Sequence, residues 1–286
     1  SGKDFTHHHS MKTLKVLIPT DFTVQAEYAY LLIQRLSEKI AFEVHFLHVL
    51  NVPDTVTMDN LGNIQTCGEI DAGYVTAQKK IAERQLEALR NAYSNVHTKL
   101  LLGKTTDTVT EYASREKFDL ITMGTKGSWG LKEKLSGSET QMIARKSHVP
   151  VLSMMCDRSD LEIQNILLVH DFRDSQTQEL SLMKNLVSAF GATIHMLQIT
   201  ASSDSATDAD ISSAMEAFAN RHELTNYECH IVHDQDIENG VIHFNEMNNM
   251  DIICMGTHGK GGLFHSSATE KLIKHMFKPI ISFHLN

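Results

Sequence analysis

Short apolar runs alternate with longer mixed stretches along the whole chain. In the first half the runs lie near residues 13–19, 42–49, 96–102, 120–124 and 150–155. Each is too short for a helix and is bounded by turn residues, so each reads as a strand. Between them, helices are expected near 23–39, 72–93, 106–116 and 138–147. The second half gives strands near 164–170, 192–199, 227–233, 251–255 and 280–284, with helices near 174–190, 208–223, 236–248 and 267–276. Strands apolar on both faces and separated by helices imply an α/β chain with parallel, doubly wound, Rossmann-like sheets.

The two halves repeat one another. Val16–Phe22 (VLIPTDF) is echoed by Ile166–Phe172 (ILLVHDF), and Phe42–Val49 by Ala192–Ile199, both 150 residues on. Asp119–Gly127 (DLITMGTKG) is echoed by Asp251–Gly259 (DIICMGTHG), now 132 residues on. Self-similarity at this length means two copies of one domain. Residues 11–156 and 164–286 are taken as the copies, joined by a short polar connector. The changed offset places a deletion in copy two, opposite a polar, turn-rich segment of copy one from Asn51 to Gly68.

The most informative stretch runs from Asp119 to Val151. A strand ends at Met123-Gly124, glycines follow at 127 and 130, and Gly137 stands before Ser138, which reads as the N-cap of a helix. Arg145, Lys146 and His148 sit at that helix's C-terminal end, where cations are favoured, and Pro150 follows. Strand, glycine loop and helix N-terminus together make an anion site from main-chain N–H groups and the helix dipole. Neither familiar phosphate motif accounts for it. Gly-x-Gly-x-x-Gly is absent, and Gly103-Lys104-Thr105 imitates the end of a Walker A loop whose first glycine is replaced by Thr98.

The spacing Gly124-x2-Gly127-x9-Gly137-Ser138 resembles the nucleotide-binding motif of the universal stress protein family, over essentially the whole chain after its first ten residues. The resemblance implies ATP as ligand, with or without magnesium. It implies that Asp21, after the first strand, contacts the adenosine, and that the backbone of Val49 meets the adenine. Gly103 would leave room for base or ribose. Met123 and Gly124 close the fourth strand at the site, Gly127, Gly137 and Ser138 would contact phosphate, and Thr140 would offer a hydroxyl. Each has a plainer explanation: a turn aspartate, a core valine, turn and capping glycines. Glu139 brings a negative charge to the same place, to hold a metal or to weaken binding. Copy two keeps Asp171, Gly256, Gly259 and Thr269 but shortens the loop by three residues, replaces the Gly103 position with Gln235 and sets Ser266-Ser267 against Gly137-Ser138. It is expected to bind nucleotide weakly, bind a smaller anion or serve as a structural partner.

Composition narrows the function classes. A net charge of −9 argues against nucleic acid, whose binders cluster lysine and arginine, and means a polyphosphate must be held by local groups. No apolar run approaches the roughly 18 residues of a membrane span. Residues 1–10, with His7, His8 and His9, read as an expression tag, so the natural chain is expected to start at Met11. Four cysteines without CxxC spacing suggest a reducing, cytoplasmic setting, and the two in apolar runs, Cys229 and Cys254, are expected to be buried thiols.

Catalytic and metal constellations are thin. His45 and His48, like His230 and His233, lie three apart on a strand and point to opposite faces. No Gly-x-Ser-x-Gly signature is present, and no residue is assigned to orient a nucleophile for phosphoryl transfer. No catalytic residue or metal ligand is therefore assigned, and binding with slow hydrolysis at most is expected. The competing class is a module of the same fold that binds no nucleotide. An ATP-pyrophosphatase reading fails because no SGGxDS-like loop follows the first strand. The family's domains pair through their last strands. Here 151–155 and 280–284 could pair within one chain, giving an internal pseudo-dimer with a homodimer as a further option.

Overall fold

The computed structural model describes residues 12–125, 136–172, 180–256 and 266–284. In chain order the first copy runs β1 (Leu14–Pro19), α1 (Val24–Leu36), β2 (Phe42–Asn51), β3 (Val56–Met58), β4 (Ile64–Thr66), α2 (Ala72–Ala92), β5 (Val96–Gly103), α3 (Thr105–Arg115), β6 (Leu120–Gly124), α4 (Ser136–Lys146) and β7 (Val151–Met154). The second runs β8 (Asn165–Val169), α5 (Ser181–Phe190), β9 (Thr193–Thr200), α6 (Asp208–Arg221), β10 (Tyr227–His233), α7 (Ile237–Asn248), β11 (Ile252–Gly256), α8 (Ser266–His275) and β12 (Ile280–Phe283). One ten-stranded sheet has the order β10-β9-β8-β11-β12-β7-β6-β1-β2-β5. Every pairing is parallel except β12 with β7, where the copies meet.

Alternation within each strand explains why the sheet is covered on both sides. On β1, Val16 and Ile18 enter one core with Phe46, Leu120 and Leu152, while Leu17 enters the other with Leu47, Ile121 and Val151. The first core takes α1, α5 and α6; the second takes α3, α4, α7 and α8. Each core is continuous through both copies, so the β7–β12 seam is as dry as the interior of either copy.

The helices begin and end where side chains answer their free backbone groups. Asp71 accepts from Gly73 N (2.8 Å) and Tyr74 N (3.3 Å) at the start of α2. Thr207 and Asp210 form a reciprocal capping box on α6. Gly191, at φ 66°, closes α5 in the left-handed region.

The sequence-based expectations hold for the main elements, with two differences. The segment expected to be a turn-rich loop contains the β3–β4 hairpin: Asp59 Oδ1 accepts from Leu61 N and Asn63 N (2.9 Å each), and Val56 docks on Val52 and Val75. Among the described residues α4 already begins at Ser136, so Ser138 lies within its first turn and is not its N-cap. The start expected for α5 near 174 falls outside the described residues, which resume at Leu180. All four cysteines are free. Cys254 is buried, its thiol pushed up to about 12 by burial, but Cys229, on the edge strand β10, is exposed. No helix among the described residues is long and apolar enough to cross a membrane.

Candidate functional site

In each copy the chain builds outward from its first strand, then crosses back to its other side. In copy one the reversal falls between β1 and β6, which pair directly. Ligands of open α/β sheets bind beyond the carboxyl ends of the strands at such a reversal. A cleft lies there in this chain, lined by residues from β1, β2, β6, α1, α3 and α4.

The turn after β1 forms one wall. Thr20 N donates to Leu47 O (2.8 Å), and Thr20 Oγ1 accepts from Phe22 N (2.9 Å), bending the chain through a positive φ of 64° at Phe22. Asp21 accepts through Oδ1 from Thr23 N (3.0 Å), so it does hold the entry to α1, yet it also lines the cleft and is exposed. His48 bonds the Thr20 carbonyl through Nδ1 (2.7 Å), which makes Nδ1 the protonated nitrogen, and its ring packs on Phe22 at 4.6 Å. Leu47, Val49, Val109 and Met123 give the apolar floor. Gln25 contributes a buried Oε1 without a hydrogen-bond partner among the described residues.

The opposite wall is α4. Thr140 is buried at the cleft, and Glu139 stands beside it. Burial raises the Glu139 carboxyl above the ordinary glutamate range; a bond from Thr105 opposes this, and the charge of Asp21 adds to it. Two carboxylates therefore share the cleft. Together they can hold a divalent cation against phosphate oxygens, or repel an anion that arrives alone.

Of the sequence-predicted residues, the structure brings Asp21, Val49, Met123, Gly124 and Thr140 to this cleft. Gly103 is not among its lining residues. A Cβ there would stand 2.6 Å from Thr108 Oγ1, and its φ of 146° is one that side chains rarely tolerate. Gly103 is thus explained by packing against α3. Gly124 also has a packing reason, since a Cβ there would lie 2.1 Å from the carbonyl oxygen of Gln25. Gly137 is inside α4, as is Ser138. Gly127 lies outside the described residues, as do Lys126 and Lys132. Thr20, Gln25, His48 and Thr105 were missed; of these only Thr20, directly after β1, carried a sequence signal.

Copy two keeps the turn but fills its surroundings. Phe172 has φ 53° and donates its N–H to His170 Nδ1 (2.7 Å), as Phe22 does to Thr20. Here His170, Phe172 and Phe218 form a buried aromatic group with ring separations of 5.1–5.2 Å. Thr269, the counterpart of Thr140, donates to Gly256 O (2.9 Å).

Comparison with known proteins agrees with the internal repeat. Residues 12–153 and 162–284 each match the universal stress protein family. Universal stress protein MJ0531 of Methanocaldococcus jannaschii is 29% identical over 140 residues, 48% of this chain and 79% of that protein. Universal stress protein MJ0577 of the same organism is 27% identical over 149 residues, 48% of this chain and 92% of that protein. The crystal structure of a universal stress protein from Archaeoglobus fulgidus superposes with a TM-score of 0.71 at 20% identity, over 94% of this chain and 96% of that one.

Proposed function

This chain belongs to the universal stress protein family, and we propose that its N-terminal half holds ATP in a regulatory role, with little or slow hydrolysis. The observation that carries this reading is the cleft at the β1–β6 reversal, where Asp21, Val49, Met123, Gly124 and Thr140 meet. Its apolar floor suits a flat base. Asp21 at its rim suits ribose hydroxyls as a hydrogen-bond acceptor. The Oε1 of Gln25, unpartnered among the described residues, supports a ligand that brings a donor, since a buried acceptor left unmet costs about 1–3 kcal/mol. The phosphates would fall to the glycine-rich segment before α4, because a net charge of −9 offers no long-range attraction. Asp21 and Glu139 are the groups that would hold magnesium, which supplies charge neutralisation between the phosphate oxygens. No residue at the cleft is assigned to orient an attacking water, so binding is the function proposed and catalysis is not.

Gly103 and Gly124 are accounted for by packing, which keeps a module without nucleotide as the competing reading. Titration of ATP, with and without magnesium, into the native chain and into a Gly127→Val, Gly137→Val double variant separates the two. The expected result is one ATP per native chain and loss of binding in the double variant. Equal binding by both chains, or none by either, would refute the reading. A stoichiometry of two would contradict the assignment of copy two as the silent partner.

A further inference from the structure

Away from the cleft, the edge of the sheet in copy two gathers two histidines and a glutamate on one face. Register pairs His195 on β9 with Glu228 on β10, and His230 lies two residues beyond Glu228, so all three side chains share a face. The histidines that meet come from neighbouring strands, a pairing that spacing within one strand does not reveal. His195 Nδ1 is 3.0 Å from His230 Nε2 and 3.5 Å from Glu228 Oε2, and His230 Nε2 is 3.7 Å from the same oxygen. Bond lengths of 2.0–2.2 Å about a tetrahedral zinc place ligand atoms roughly 3.3–3.6 Å apart. The three measured edges bracket that value.

The surroundings prepare the ligands. Asn165, on β8, sets its Oδ1 2.9 Å from His195 Nε2. A carbonyl oxygen only accepts, so Nε2 carries the proton and the lone pair of Nδ1 faces the cluster. His195 is buried, and the His230 ring stands edge-on to Phe244 at 4.9 Å. Glu228 is largely exposed, leaving a further position open to water.

Copy one supplies an internal comparison. Its His45 occupies the position of His195, and with Glu43 and His97 it makes the corresponding cluster between β2 and β5. There Glu43 Oε1 is 4.0 Å from His97 Nε2, and the residue in the place of Asn165 is Lys15. The Lys15 ammonium, which donates to Glu116 O at 2.9 Å, is near enough to act electrostatically on both Glu43 and His45. A cation entering copy one meets that charge. We propose that His195, Glu228 and His230 form a divalent transition-metal site, zinc by ligand type, which the equivalent cluster of copy one does not share.

The test is titration of the full chain, with His7, His8 and His9 changed to alanine in every sample, using Zn2+ alone and then Co2+ as a coloured substitute. One Zn2+ per chain is expected, with the visible absorption of four-coordinate Co2+. His230→Ala and Glu228→Gln should each weaken Zn2+ binding by more than about tenfold, and Asn165→Ala by about 10–100-fold as an outer-shell loss. His97→Ala should leave binding unchanged. Thermal melts without metal show whether each variant is folded; if His230→Ala is not, Glu228→Gln decides. Absence of Zn2+ binding by the native chain, native affinity in Glu228→Gln, or an equal loss in His97→Ala would overturn the assignment.

Discussion

Gly124 and Glu139 line the same cleft and are there for different physical reasons. At Gly124 a methyl group would stand 2.1 Å from a main-chain oxygen of α1, and backbone cannot rotate away as a side chain can. Gly124→Ala should therefore push α1 off the sheet and destabilise the chain by about 1–3 kcal/mol, as overpacking does. Urea denaturation without nucleotide checks this. Unchanged stability would mean that the glycine answers only to a ligand. At Glu139 the folded carboxyl titrates above its unfolded value, chiefly because of burial. Such a group favours folding while protonated, and that contribution is lost as pH rises from the unfolded toward the folded value. Glu139→Gln should consequently be more stable than the native chain at pH 7, the difference vanishing below about pH 4. Melting temperatures across that range test the sign. In magnesium-free buffer the same variant should bind ATP more tightly, because one negative charge has left the cleft.

At the scale of elements the main departure is the hairpin β3–β4, present in copy one and matched by nothing between β9 and α6. Copy two completes the same strand order without it, so the sheet does not need it. Replacing residues 54–68 with a short Gly-Ser linker should leave the far-ultraviolet spectrum native-like and lower the melting temperature modestly. The loss is chiefly the contact of Val56 with Val52 and Val75, worth about 1.5–3 kcal/mol for one buried valine. Collapse of the whole fold would show the hairpin to be integral. This segment also shows why some structure could be read from the sequence and some could not. Runs such as Leu14–Pro19 and Leu120–Gly124 are apolar on both faces and announce central strands. Val56–Met58 buries one residue in three, and its closing loop depends on Asp59 side-chain bonds that leave no periodic trace. The cleft was legible where residues follow strand ends, as Asp21 and Gly124 do. His48, Gln25 and Thr105 enter it through tertiary placement alone. Gly103 lies outside the cleft lining, and a glycine needed against Thr108 looks the same in sequence as one needed against a base.

The whole molecule is organised about an approximate twofold axis at the β7–β12 seam. Val151, Leu152 and Ser153 pair with Ser282, Ile281 and Ile280, so each residue meets the counterpart set from the other copy in reverse order. Ser153 Oγ reaches Ile280 O at 3.4 Å, and Ser282 Oγ reaches Val151 O at 3.3 Å, two equivalent long contacts. Gln141 on α4 donates to the carbonyl of Glu270 on α8 at 2.6 Å, and these two residues also occupy equivalent positions. Such reciprocity is that of an isologous dimer fused into one chain. The domain expressed alone, residues 12–156, would expose β7 with Val151, Leu152 and Met154, all buried in the intact chain. An open, apolar edge strand recruits another strand, and the nearest complementary edge is β7 of a second copy. Sedimentation of this fragment should accordingly give a dimer, and Leu152→Lys, placed at the axis, should return it to a monomer. The same substitution in the full chain should cost stability without changing its mass in solution, because there the partner edge is covalently attached. A fragment that stays monomeric and folded at high concentration would mean that the seam merely joins the copies and does not complete them.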